Sequence, residues 1–453
     1  MNRSIIRIIN SACVLTAAAS ALAAQSLVEP GAGGWRTFVI SSGQALRVAP
    51  PPDEYATVSD LQQVQASVAS RDAAAMAQIV YWDAGPPSYR WIQIAAQEFA
   101  NRNLAPTLAT REMALVAAAI NDATVATWDS KFAYNRPRPA DFDPTIQPAV
   151  AVPKVPGYPS EYSATAAAAS AVLSYLFPDS ADRFQQLAAQ DSASRLLAGV
   201  EFPSDGSAGS AIGQAVGQAV INYAKADGSD AVFSGSFPSA PGVWSSPNPV
   251  TPLAGSWKPW VLTQASDVRP DAPPAFGSPQ MTDLVAMVKN QPKSTTASRT
   301  AWVWQASFIT PWLDTIYQKL SEYRLDQDAP RAAQVYALTM VAMHDATLAC
   351  WDTKYTYLEL RPSMADSEIT TLFPNPQHPG YPSGHACASG GIAGVLAWSF
   401  PTEAQYFTDR AGEAGESTFD AAIHTQFDVD TGLKLGQAVA QRVTAFATPA
   451  GSQ

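Results

Sequence analysis

A pair of helical bundles, one a copy of the other, is the all-α fold that the sequence predicts, and three observations lead there. The chain repeats itself at a fixed offset of 223 residues, its apolar residues recur at three- and four-residue spacing, and almost nothing alternates in the two-residue rhythm of a strand. Asp122, Ala123, Thr124, Trp128, Asp129, Lys131, Arg138 and Pro139 return as Asp345, Ala346, Thr347, Trp351, Asp352, Lys354, Arg361 and Pro362. Pro156-Gly157-Tyr158-Pro159-Ser160 returns as Pro379-Gly380-Tyr381-Pro382-Ser383, and Gly213-Gln214-Ala215-Val216 as Gly436-Gln437-Ala438-Val439. So long a period exceeds the roughly 20–50 residues of a solenoid repeat, which implies two domain-sized units stacked together.

Residues 1–24 carry Arg3 and Arg7, an Ala/Val/Leu-rich stretch and then Ala21-Leu22-Ala23, the pattern of a cleaved export signal. The mature chain is therefore expected to be exported, periplasmic or secreted. Residues 25–58 are aperiodic and read as an N-terminal arm. The first bundle covers 59–229, with helical signals from about Ser59 to Asn103, then Thr110–Lys131, Ser163–Leu176, Ala181–Gly199 and Ser207–Ala226. Residues 230–280 are rich in Pro, Ser and Trp, and Trp244, Trp257 and Trp260 each need burial, so this connection is expected to be ordered and packed across both bundles. The second bundle covers 281–447, with helices resuming near Met281, Ala301, Arg331, His385, Glu403 and Val429.

The formal net charge is -11, and removing Arg3 and Arg7 with the signal leaves 26 basic against 39 acidic residues. That balance, without a Lys/Arg run, argues against nucleic acid or an anionic membrane as partner. No later stretch approaches 18 uninterrupted apolar residues, so no stable membrane span is expected. Cys350 and Cys387 remain after the signal is lost; an oxidising compartment permits their pairing, and their apolar helical context equally suits buried thiols. The oligomeric state is left open.

All four histidines, His344, His378, His385 and His424, fall within one window of 81 residues in the second copy. Forward from Trp351, Lys354 is followed by Arg361-Pro362, then Pro382-Ser383-Gly384-His385, then Ser417, and finally His424 with Asp428 four residues on. This pattern resembles the superfamily joining type 2 phosphatidic acid phosphatases, bacterial acid phosphatases and vanadium-dependent haloperoxidases, whose signature is Lys-x6-Arg-Pro, Pro-Ser-Gly-His and Ser-Arg-x5-His-x3-Asp. One element departs from it: Thr418 stands where the second arginine belongs.

Such a set suits a tetrahedral oxyanion. Lys354 and Arg361 would neutralise its oxygens, arginine with a planar fork of donors. Ser383 and Gly384 would open a helix whose N–H groups point at the anion, with glycine leaving room for its approach. The resemblance implies His424 as the apical group, attacking phosphorus in a phosphatase or ligating vanadium in a haloperoxidase. Asp428 would hold its other nitrogen, and His385 would be the acid/base. Taken singly each element has a structural explanation: Lys354 and Arg361 a solvated helix end, Ser383 an N-cap, Asp428 a helix cap, His424 a core histidine. Their joint order and spacing favours a site. His344 and His378 are placed outside the residues that would touch the anion, His378 in a loop at the cavity mouth.

The first copy keeps Lys131, Arg138, Ser160, Ser194, Arg195 and Asp205, but has Glu161 for the glycine, Tyr162 for one histidine and Glu201 for the other. It reads as scaffold. Two bundles with the site in the later one, together with Arg269-Pro270-Asp271-Ala272-Pro273-Pro274-Ala275-Phe276-Gly277-Ser278 and the run His378 to His385, resemble the bacterial haloperoxidase-like branch. That resemblance implies a vanadate cofactor, hydrogen peroxide and a halide. The alternatives are an exported acid phosphatase working through phospho-His424 without a cofactor, and a degenerate homologue with neither activity. In every case the expected ligands are an oxyanion and a small-molecule substrate.

Overall fold

The structure, a computed structural model, describes residues 28–448, so the export signal expected at 1–24 lies outside the described residues. Among the described residues the architecture is helical, with a single isolated β-bridge between Val243 and Glu359. The first half consists of α1 (Glu54–Ala69), α2 (Ala73–Trp82), α3 (Ser88–Arg102), α4 (Pro106–Tyr134), α5 (Pro139–Phe142), α6 (Glu161–Leu176), α7 (Ala181–Ala198) and α8 (Pro203–Lys225). The second consists of α9 (Pro279–Asn290), α10 (Thr295–Ala306), α11 (Thr310–Glu322), α12 (Ala329–Tyr357), α13 (Pro362–Ala365), α14 (Gly384–Ser399), α15 (Ala404–Asp420) and α16 (Gln426–Ala447). Helix α11 has no counterpart among the helix starts read from the sequence.

Helices α4 and α12 are the axis of the molecule. Both are 29 residues long, both open on a proline in the first turn, where the missing N–H costs nothing, and both are buried around most of their circumference. They pack on each other and, with α3, α6, α8, α11 and α14, enclose one apolar core that contains Trp91, Trp304, Trp312 and Tyr336. Each long helix carries a buried aspartate that ties down an irregular segment. Asp122 accepts the N–H groups of Phe38, Val39 and Ile40, and Asp345 those of Trp260, Val261 and Leu262. Likewise Arg47 pairs with Asp129 and Arg269 with Asp352. The segment before α9 thus docks on α12 as the arm docks on α4. Trp244 and Trp257 are buried, while Trp260 stacks on Tyr223 at 4.1 Å and so joins α8 to the second half.

The recurring Gly213 and Gly436 have a packing reason. A Cβ on Gly436 would lie 2.2 Å from the Cys387 carbonyl oxygen, and one on Gly213 2.2 Å from that of Ala164. Backbones of α16 and α14, and of α8 and α6, therefore touch where these glycines sit. Gly436→Ala is expected to destabilise by about 3 kcal/mol through overpacking. A urea unfolding midpoint unchanged from wild type would show that the helices can separate without cost.

No described helix is long and apolar enough to cross a membrane. Cys350 and Cys387 are free, buried thiols.

Candidate oxyanion site in the second bundle

The sequence Lys354-x6-Arg361 straddles the end of α12. Leu358 donates its N–H to the Lys354 carbonyl and adopts φ 51, a left-handed turn that a leucine enters only at a cost of about 1–2 kcal/mol. Trp244 N–H on the Leu358 carbonyl, at 2.7 Å, helps hold that turn. The chain then reverses so that Lys354 and Arg361 reach the same loop, Lys354 at residues 379–382 and Arg361 at His378. Lys354 Nζ donates to the carbonyls of Pro379, Gly380 and Pro382 at 2.9, 2.8 and 2.5 Å. Arg361 Nη1 donates to the Ile423 carbonyl at 2.8 Å and to His424 Nε2 at 3.1 Å, and Nη2 donates to His378 Nδ1 at 3.1 Å.

These contacts fix the imidazoles. Arginine has only donors, so His424 Nε2 facing Arg361 is an acceptor, and the Nδ1 proton points to Asp428 Oδ2 at 3.2 Å. His424 is therefore neutral, and burial together with Arg361 and Lys354 holds its pKa well below the ordinary value. Asp428 does two jobs: its Oδ2 also accepts Thr425 N–H while its own N–H bonds Thr425 Oγ1, which closes the capping box of α16. The capping explanation and the imidazole-holding explanation for Asp428 hold together.

Ser383 caps α14 by accepting Ala386 N–H, and it faces Thr418 Oγ1 at 3.1 Å. The Thr418 hydroxyl also binds the Gly415 carbonyl, so at this corner α15 offers a short neutral side chain. Gly384 heads α14, and a Cβ there would meet only Trp351, at 3.6 Å. His385 and Gly384 are the partly exposed members of the group; Lys354, Arg361, Ser383, His424 and Asp428 are buried. His385 turns towards α10, donating Nε2–H to the Trp304 carbonyl at 3.2 Å with Phe308 edge-on to its ring. Burial draws its pKa down to about 4, only partly offset by that bond.

Two neighbours join the site: His378, which the sequence reading places outside it, and Glu359, whose place two before Arg361 puts an acid near the site without fixing its direction. His378, assigned to the cavity mouth, instead has its ring 4.8 Å from Trp351 and Nδ1 against Arg361. Glu359 is buried beside Asp428, and burial plus that carboxylate pushes it well above the usual carboxylate range. Its proximity to Arg361 in sequence was the available signal, but spacing does not reveal which way a side chain points. His344 lies apart, its Nδ1 3.2 Å from Thr110 Oγ1 between α12 and α4.

With Glu359 protonated, Lys354, Arg361 and Asp428 leave one positive charge in excess. No carboxylate lies within 4.0 Å of either cation among the described residues, the distance at which the other ion pairs of the chain are found. The first bundle handles the same two cations differently. Lys131 Nζ donates to the Pro156 and Gly157 carbonyls, as Lys354 does to Pro379 and Gly380, but its remaining partner is Glu161 Oε2 at 2.7 Å. Arg138 lies 3.5 Å from Glu161 and 3.7 Å from Glu201. Glu161 stands at the place of Gly384. One bundle thus carries its own carboxylate over the lysine and arginine; the other has a glycine there, and its two cations are met by carbonyls and imidazoles, not by a carboxylate.

The residues present fit a tetrahedral oxyanion: two buried cations, a glycine that leaves room, a helix N-terminus and an imidazole whose unprotonated Nε2 is held by Arg361. Residues 111–228 match the model of the PAP2 superfamily, a match that falls in the first half and not on the histidines. The fold is similar to that of a bacterial vanadium-dependent iodoperoxidase, at TM-score 0.62 and 22% identity over 80% of this chain and 97% of that one. It is also similar to a bacterial vanadium-dependent chloroperoxidase in its apo form, at TM-score 0.58 and 16% identity over 76% and 94%. The holo form of a bacterial vanadium-dependent chloroperoxidase aligns at TM-score 0.56 and 16% identity, over 76% and 93%. No curated protein matches the chain in sequence.

Proposed function

We propose that this chain, a PAP2-superfamily protein with the fold of the bacterial vanadium-dependent haloperoxidases, is an exported enzyme that binds vanadate in its second bundle and oxidises halide with hydrogen peroxide. The observation that carries the reading is the contrast between Glu161 and Gly384: the same cation pair is neutralised internally in one half and faces an open glycine in the other. Bound vanadate would supply Lewis-acid activation of peroxide. The residues of this chain would do the rest. Lys354 and Arg361 would hold the anion's oxygens, each giving up a present acceptor, the Pro382 carbonyl and His424 Nε2, to do so. His424 Nε2, unprotonated because Asp428 holds the proton on Nδ1, would be the protein's ligand to vanadium. The N–H groups opening α14 complete the cradle. His385, at the exposed edge, would be the acid/base that holds or gives up a proton during the reaction.

The same Nε2 lone pair also suits attack on phosphorus, and Thr418 favours that second reading. Loss of one charge-assisted contact to a buried oxyanion costs about 1.5–3 kcal/mol, roughly ten- to a hundredfold in affinity. A cofactor retained from trace supply suffers from this more than a substrate that is turned over.

The test is bromination of a dye by purified protein given vanadate, peroxide and bromide. Wild type is expected to be active, and His424→Ala to lose at least about a thousandfold. Peroxide-independent hydrolysis of an aryl phosphate, inhibited by vanadate, would favour the phosphatase. A melting temperature that neither vanadate nor phosphate shifts would oppose both, because ligand at about a hundred times Kd stabilises by about 2.7 kcal/mol. Thr418→Arg is expected to tighten vanadate binding ten- to a hundredfold by the same arithmetic. Unchanged affinity would mean that no anion oxygen faces that corner.

A further inference from the structure

The first bundle contains a cleft of about 780 Å³ between α6, α7 and α8. It exists because small residues replace larger ones. In the second bundle Val429 reaches across to Gly415, where a Cβ would lie 2.8 Å from the valine methyl, and Leu433 packs on the core. At the corresponding places the first bundle has Gly206 and Ser210, so α7 and α8 stand apart. The walls are lined by six serines: Ser163, Ser170, Ser174, Ser192, Ser207 and Ser210.

At its floor lie Arg195 and Glu201, both buried. Arg195 Nη1 binds Asp83 Oδ1 at 2.8 Å and the guanidinium sits 4.1 Å over the Tyr162 ring, while Nη2 has no partner. Neither oxygen of Glu201 has a hydrogen-bond partner, nor does Ser174 Oγ. Buried polar groups rarely go unsatisfied, so these atoms point to a ligand. Its charge follows from Asp83. Arg195 has an N–H to spare but no charge to spare, so the ligand must offer an acceptor oxygen without being an anion. Burial and Glu161 push Glu201 up to about 7, which makes its carboxyl both donor and acceptor near neutrality and unfavourable to a negative ligand when ionised. Hydroxyl-lined walls match a ligand that is itself rich in hydroxyls.

We propose that this cleft binds an uncharged, hydroxyl-rich small molecule of the carbohydrate class. Its volume falls within the roughly 300–1,000 Å³ of small-molecule sites. The proposal is independent of the chemistry assigned to the second bundle.

The test is calorimetric titration of the whole mature chain at pH 7 with maltose, sucrose and myo-inositol as neutral probes, and glucuronate and inorganic phosphate as charged ones. At least one neutral probe is expected to bind saturably. Ser210→Leu, which installs the residue the second bundle already accommodates, should fold with an unchanged melting temperature and weaken that binding at least tenfold. Ser174→Ala, which leaves the shape intact, should weaken it several-fold. Binding by none of the neutral probes overturns the proposal, as does binding of the charged probes alone, or neutral binding that Ser210→Leu leaves intact. A dimer that Ser210→Leu converts to monomer would make the cleft a protein interface and also overturn it.

Discussion

Glu161→Gly, which gives the first bundle the residue found in the second, is expected to destabilise the protein by about 3–5 kcal/mol at neutral pH, the cost of leaving buried charge uncompensated. Burial alone would raise the Glu161 carboxyl, but Lys131 and Arg138 outweigh it and hold the group below its ordinary range, so it is ionised where the cations need it. Glu201 replaces it only in part: losing Glu161 removes one cause of its raised pKa, but burial still raises it, and it stands 3.7 Å from Arg138 and is not in contact with Lys131. The variant should also become responsive to oxyanions. Phosphate or vanadate would then occupy the place of the lost carboxylate and raise the melting temperature, an effect absent from the first bundle of wild type. Comparing the Glu161→Gly/His424→Ala double variant with His424→Ala alone isolates the new response from that of the second bundle. A loss below about 1 kcal/mol, with no anion-dependent recovery, would mean that Glu161 is not the counter-ion of Lys131 and Arg138. The contrast supporting the proposed function would then lose its basis.

Acid sensitivity from His344 is the second large effect. Burial and the nearby Arg111 lower its pKa to about 3, against about 6.5 for an unfolded histidine. The sign follows from the protons bound. Between those two values the unfolded chain carries a proton that the folded one does not, so stability is fully present above about pH 6.5 and is lost as pH falls towards 3. For a fully buried imidazole the shift corresponds to roughly 4–5 kcal/mol, an upper range. His344→Asn, which keeps a partner for Thr110 but no titrating group, is expected to unfold in urea with less dependence on acid by about that amount. The informative quantity is the difference between wild type and variant. Asp122 and Asp345, raised by burial to about 6, contribute with the opposite sign and lose stability as pH rises through 6. Equal acid dependence in the two proteins would place the His344 proton uptake in the folded state.

The ingredients of the site were legible because the superfamily pattern is a pattern of residue types at fixed spacing, and each type has a chemical reason. Lys354, Arg361, Ser383, Gly384, His385, His424 and Asp428 could all be named before any coordinate. Orientation could not. His378 looks peripheral, in a proline-rich loop, and the place of Glu359 two before Arg361 puts an acid near the site without saying which way it points; in the structure both lie inward. His385 stands in the expected place but donates to the Trp304 carbonyl, a bond between residues 81 apart that no local pattern encodes.

What the sequence determined by itself was composition and period. Helical spacing, proline and serine at helix starts, glycine where helices touch, and an offset of 223 residues are all properties of short stretches read against each other. What only the tertiary structure decided was the balance of charge. Glu161, read from the sequence only as a departure from the glycine, proved to take an anion's place, since it lies 2.7 Å from Lys131 and both side chains are buried away from bulk solvent. Likewise the serines of α6, α7 and α8 look like ordinary helix positions until the missing Val429 and Leu433 side chains leave them facing a cleft. The physical reason is common to both: electrostatic and packing energies depend on distance in space, and residues far apart in the chain set those distances only when the bundles close.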